Sequence, residues 1–136
     1  MIMDETDVKI LEALVSNARL SSRRISKKAG VSIGTVLTRI RRMEQEGVVR
    51  GYSAIVDHEK LGYQLTALIE ITVSKGRLLE MENEIARMPN VVSVYDVTGL
   101  TDAFVIAKFK TREELSAFAK RLLSLPFVER SNSHIV

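Results

Sequence analysis

Between Arg19 and Arg50 the chain carries nine basic residues against two acidic ones, Glu44 and Glu46. Cationic side chains crowded onto so short a segment suit contact with a phosphate backbone, because neutralising each phosphate releases a condensed counterion. Elsewhere the signs balance. Residues 1–18 hold one lysine against four acids, and residues 61–136 hold nine of each sign. The charge is therefore focused on one unit, the footprint expected of a nucleic-acid surface, although many charged helices are only solvated faces.

Other reactive residue types are sparse. The 136 residues include no cysteine, which removes disulfides, thiol nucleophiles and thiolate metal sites. His58 and His134 stand far apart without matching carboxylate spacing, so they read as surface or strand-edge histidines and no metal site is expected. Glu70, Glu80, Glu82 and Glu84 read as solvated faces, not as paired catalytic carboxylates. Gly99, Leu100, Thr101 and Asp102 read, on residue type alone, as a hairpin turn. Ser131 and Ser133 near the chain end fit one polar face of an edge strand or a ligand contact. No catalytic residues and no cofactor are expected.

The basic stretch has the spacing of a helix-turn-helix. Ser21 or Ser22 can cap a short helix that buries Ile25 and Ala29 and stops at Gly30. Ser32 can cap the next helix, whose buried stripe is Val36, Ile40 and Met43 and which ends near Gly47. At about 100° per residue the opposite face carries Gly34, Thr38 and Arg41, flanked by Thr35, Leu37 and Arg42. That face is expected to enter the major groove, with small residues at its start and Arg41 and Arg42 reaching a guanine edge or a phosphate. Arg23, Arg24, Lys27 and Lys28 lie on the preceding helix, which crosses the backbone in such units, and suit phosphates better than bases.

A first helix, with Asp4 and Asp7 in its opening turn and Val8, Ile10, Leu11, Leu14 and Val15 as its apolar side, completes a trihelical unit over residues 1–50. Val48 to Val56 is β-branched and aromatic and predicts an extended strand leading out of it; the polar Asp57 to Tyr63 then predicts a hinge, so residues 51–64 form a linker. Residues 65–136 alternate in type. Strands are expected at Leu65–Val73, Val91–Thr98, Ala103–Phe109 and Val128–Val136, with helices at Arg77–Met88 and Thr111–Leu123. The fold class is thus α+β, a trihelical helix-turn-helix domain followed by a βαββαβ ferredoxin-like domain. Leu65, Ala67, Ile69, Ile71 and Val73 line one side of the first strand, while two one-faced helices cover only one side of a sheet. A partner subunit can cover the other. No apolar run reaches the length of a membrane span and the start MIMDETD is acidic, so a soluble, cytoplasmic protein is expected.

Taken together the chain resembles the Lrp/AsnC, or feast/famine, family of transcriptional regulators. The resemblance rests on Asp4, Asp7, Ile10, Leu11 and Leu14, on Asn17, Ala18 and Arg19, and on Ser21, Ile25, Gly30, Val31, Ser32, Val36, Arg39 and Ile40. It continues through GVVRGY at Gly47–Tyr52, the βαββαβ order, and TGLTDAF at Thr98–Phe104, which is similar to the family's G-x-x-D turn. The chain departs from the family at Ile33, where proline is common, and at Gly34, where serine is usual. The resemblance implies a regulator of double-stranded DNA that pairs through its C-terminal sheet into homodimers, with octameric discs as a further assembly. It also implies a small effector, an amino acid, bound at Gly99, Leu100, Thr101 and Asp102 near a subunit contact, with Ser131 and Ser133 from a neighbouring subunit as further contacts. Backbone N–H groups around Gly99 would receive its carboxylate, and Asp102 its ammonium. Two other classes stay open: an architectural DNA-coating protein without effector, and a small dimeric enzyme built on the ferredoxin-like domain.

Overall fold

The computed structural model describes residues 2–136 and comprises two units, the first ending at Ile55 and the second running from Val56 to Val136. In the first, α1 spans Glu5–Ser16, α2 Ser22–Ala29 and α3 Ile33–Gln45. Asp4 precedes α1 as its N-cap: its carboxylate accepts the Asp7 N–H at 2.9 Å while the Asp7 carboxylate accepts the Asp4 N–H at 3.1 Å. Two amides that a helix start would leave without partners are thereby satisfied reciprocally. Ser21, not Ser22, caps α2, and Ser32 caps α3. Gly30 takes φ +70°, the left-handed conformation in which a glycine closes a helix at little cost.

The core of this unit joins Ile10, Ala13 and Leu14 of α1 to Ile25, Ala29, Val36 and Met43. Val8 and Val15 are on the outside, Val15 at 86% exposure, contrary to the apolar side expected for α1. Both lie more than about 130° around the helix from Ile10, and Ala13 and Asp7 take the inward positions. Val48–Val56 also departs from expectation, since among the described residues no strand precedes Leu65. Val49 N–H instead closes the end of α3 by donating to the Met43 carbonyl at 3.0 Å. β-Branched side chains favour a pleated surface but cannot supply the neighbouring strand that defines one.

The second unit opens with an ordered turn where a hinge was expected. Gly62 and Tyr63 donate to the Glu59 and His58 carbonyls at 2.9 Å each, and Lys60 N–H is accepted by Asp57 Oδ1 at 3.2 Å. There follow β1 (Leu65–Val73), α4 (Leu78–Ile85), β2 (Val91–Asp96), β3 (Ala103–Phe109), α5 (Arg112–Ser124) and β4 (Val128–Ile135). α4 stops at Ile85, three residues before the predicted Met88, which as the residue ahead of Pro89 is itself disfavoured in helical ψ. The strands form one antiparallel sheet in the order β2-β3-β1-β4.

Register decides what each face carries. Ala67, Ile69 and Ile71 stand opposite Ala107, Val105 and Ala103, and all are buried with Met81 and Ile85 of α4 and Phe118 and Leu122 of α5. Burying one such aliphatic side chain stabilises the fold by about 1.5–3 kcal/mol. The wholly apolar row expected on β1 is therefore the row the helices cover. The face without a helix holds the alternate residues, Leu68, Glu70 and Thr72 of β1, Phe104, Ile106 and Lys108 of β3, and Arg130, Asn132 and His134 of β4. It is mixed, with three large apolar side chains among polar ones.

Candidate nucleic-acid interface and ligand cleft

α3 presents Gly34, Thr38 and Arg41 together on its exposed face, with Leu37 beside them. Thr35 is half-buried and its hydroxyl lies 2.9 Å from Ser32 Oγ, which also accepts the Thr35 N–H at 3.1 Å. Ser32 and Thr35 are thus committed to the start of the helix. A Cβ built on Gly34 would meet only Ser32 Oγ, at 3.9 Å, so the fold does not demand glycine there. Glycine keeps the exposed helix surface low at this position. On α2, Arg23, Arg24, Lys27 and Lys28 are exposed, Ser21 Oγ accepts the Arg24 N–H at 3.2 Å, and Ser22 is half-buried.

Arg42 also departs from the DNA face expected of it. Its Nη2 donates to Asp7 Oδ2 at 2.8 Å, so its guanidinium lies against α1. Arg39 joins the same cluster, donating from Nη1 to Asp7 Oδ1 at 3.1 Å and to Asp4. Asp7 is fully buried. Asp4 has its carboxyl lowered from 3.8 to about 2, chiefly because the Asp7 N–H donates to it and then because Arg39 does. Arg42 leaves the outer face because a position about 70° from that face's midline borders the neighbouring helices, and a long side chain there reaches the nearest buried carboxylate. The signal was present in Asp4 and Asp7, which stand where they serve as capping box and arginine acceptor at once.

In the second unit the turn between β2 and β3 is pinned to β1. Asp102 N–H and Thr101 Oγ1 both donate to the Ile71 carbonyl, at 3.0 Å each, and Asp102 Oδ2 accepts the Val73 N–H at 2.8 Å. That amide sits where the β1–β4 register shifts. Gly99 has φ +117°, a conformation that L side chains rarely adopt, and Leu100 projects fully into solvent. One Asp102 oxygen and the Thr101 hydroxyl, both expected to meet a ligand, are thus engaged in holding the turn.

Beside the turn, on the uncovered face, lies a cleft of about 170 Å³ lined by Glu70, Thr72, Leu100, Thr101, Arg130 and Asn132. Glu70 Oε2 accepts from Asn132 Nδ2 at 3.1 Å and lies 2.8 Å from His134 Nε2. The His134 contact, then the Asn132 hydrogen bond, lowers the Glu70 carboxyl below its usual range. Ser131 and Ser133 do not join this cleft. They stand opposite Ile71 and Ile69, hence on the helix side of the sheet, because side chains alternate faces along a strand. Neither Glu70 nor Arg130 was singled out as a site residue from the sequence, since the cross-strand register that brings them together is not visible there. A larger groove of about 680 Å³ runs along α4 and α5 past Glu80, Glu84, Arg87 and Arg121. Size alone does not make a groove a binding site.

No helix among the described residues is long and apolar enough to cross a membrane. Residues 3–50 match the winged helix-turn-helix DNA-binding family, and residues 66–136 match the Lrp/AsnC ligand binding domain. An uncharacterized HTH-type transcriptional regulator of Pyrococcus furiosus is 45% identical over 135 residues, covering 99% of this chain and 91% of its own. The HTH-type transcriptional regulator FL11 of Pyrococcus horikoshii is 37% identical, covering 98% and 89%. Among solved structures, a transcriptional regulator of Neisseria meningitidis in complex with L-Met superposes with a TM-score of 0.90 at 30% identity, over 99% of this chain and 90% of that one. AsnC of E. coli superposes with a TM-score of 0.89 at 25% identity, over 100% and 93%. With a helix-turn-helix unit at one end, a matching ligand-binding unit at the other and relatives aligned along almost its whole length, the chain belongs to the Lrp/AsnC family of transcriptional regulators.

Proposed function

We propose that this regulator binds operator DNA as a homodimer or larger assembly and that a free amino acid modulates this binding from the cleft beside the Gly99–Asp102 turn. The carrying observation is the cleft itself, which has Arg130, Glu70 and Asn132 in one lining beside a pinned glycine turn. An amino acid needs a cation for its carboxylate and acceptors for its ammonium. Arg130 meets the first need and Glu70 the second. The L-Met complex of the Neisseria meningitidis regulator supports this ligand class. On the DNA side, Thr38 and Arg41 read base edges past the low surface at Gly34, while Arg23, Arg24, Lys27 and Lys28 bind phosphates. The uncovered sheet face, with Leu68, Phe104 and Ile106, pairs two copies and so sets two recognition helices on one duplex.

The test is a thermal-shift screen of the common amino acids on the full chain, followed by DNA titration with and without each hit. A ligand that binds only the folded protein raises its melting temperature. The expected hit changes DNA affinity, and Arg130→Gln abolishes both effects. If no amino acid shifts either quantity, the effector reading is wrong and an effector-free DNA-coating role takes its place.

A further inference from the structure

We propose that Asp7 is a positioning residue for DNA recognition: it withholds Arg39 and Arg42 from phosphates and uses them to set the recognition helix against α1. A carboxylate with no exposed surface normally pairs with a cation, and Asp7 pairs with two, at 3.1 and 2.8 Å, both from α3. The arginines are three residues apart, so a single point on α1 holds almost a full turn of α3. The Asp4 N–H donates to the same Asp7 oxygen as Arg42, which fixes the carboxylate relative to the start of α1. Movement of either arginine to DNA would leave Asp7 undercompensated inside the protein, whereas an exposed arginine such as Arg41 meets no such penalty.

The inference builds on the helix-turn-helix binding DNA, and the salt dependence of binding by the full chain to a random-sequence duplex tests it. Each phosphate contact contributes about 0.9 to the slope of log Kobs against log salt concentration. Lys27→Gln is expected to lower the slope by about that amount per protomer, and Arg42→Gln to leave it at the wild-type value. Asp7→Asn releases Arg42 and leaves Arg39 with Asp4 alone, so its slope steepens by about 0.9 for each arginine that reaches a phosphate, while preference for a pool-selected operator falls about tenfold. A purely structural role would change stability without steepening the slope. The proposal is overturned if Arg42→Gln flattens the slope as Lys27→Gln does, or if folded Asp7→Asn keeps both slope and preference. Should Asp7→Asn fail to fold, the Arg42→Gln slope decides alone. Absence of any salt-dependent binding by the wild type would remove the DNA reading itself and this proposal with it.

Discussion

The two units place their acids differently. In the trihelical unit Asp7 is fully buried and balanced by Arg39 and Arg42, so ionic contacts complete a core made from a few residues of each helix. In the sheet unit the covered core is apolar throughout, and Glu70 lies instead on the uncovered face with Asn132 and His134. The lesson concerns where each unit is finished. The first closes its own polar interior, while the second leaves a mixed polar and apolar face that no helix of its own covers.

The sharpest test of that contrast is core truncation. Phe109 is fully buried and packs edge-on against Phe118, with ring centroids 5.2 Å apart. Phe109→Ala is expected to destabilise the sheet unit by about 3–5 kcal/mol, read from denaturant unfolding. A loss under about 1 kcal/mol would mean that the core is not as closely packed as the register implies.

Next in size is a change on the uncovered face. Ile106 lies at the middle of β3, opposite Leu68, so Ile106→Glu puts a charge inside any sheet-to-sheet contact while leaving the covered core intact. Light scattering is expected to show the wild type as at least a dimer and the variant as a monomer at micromolar concentration. An unchanged mass would break the comparison by showing that this face is not where copies meet.

A smaller effect is expected at Gly34, where stability and function should part. The built Cβ meets nothing closer than 3.9 Å, so Gly34→Ala should stabilise α3 by about 1 kcal/mol. Operator binding should weaken all the same, since the added methyl lifts the helix from the groove. Calorimetric melting and a DNA titration separate the two, and unaltered binding would remove Gly34 from the interface.

The smallest effect belongs to Asp4, whose carboxyl is lowered from 3.8 to about 2 by the Asp7 N–H and Arg39. A depressed folded-state value means that the unfolded chain takes up the proton first. This contribution is therefore fully present above about pH 4 and is lost as pH falls toward 2. NMR titration of the Asp4 carboxyl should show it, and Asp4→Asn should flatten this part of the acid stability profile. The stabilisation is screened at an exposed site, which is why it ranks last.

Local chemistry accounts for what could be read without coordinates. Serine caps at Ser21 and Ser32 and the glycine stop at Gly30 act within a few residues, so the helices they bound were legible. Alternation along β1 and β3 marked both strands, with Leu65–Val73 and Ala103–Phe109 found where expected. The basic face of α2 and α3 was legible for the same reason, because helical spacing alone assigns sides. Pairing between distant segments was not legible. Whether Val48–Val56 becomes a strand depends on a neighbour, and whether Ser131 or Arg130 faces the cleft depends on β4 registering against β1. Arg42 turned from the solvent side to Asp7 across a contact spanning 35 residues, for which no local pattern exists. Sequence determined the helices, their caps and the distribution of charge along the chain, since these follow from local stereochemistry and residue order. Tertiary structure alone decided which charges were withdrawn into the fold and which residues met in the cleft, because burial and register are properties of packed segments.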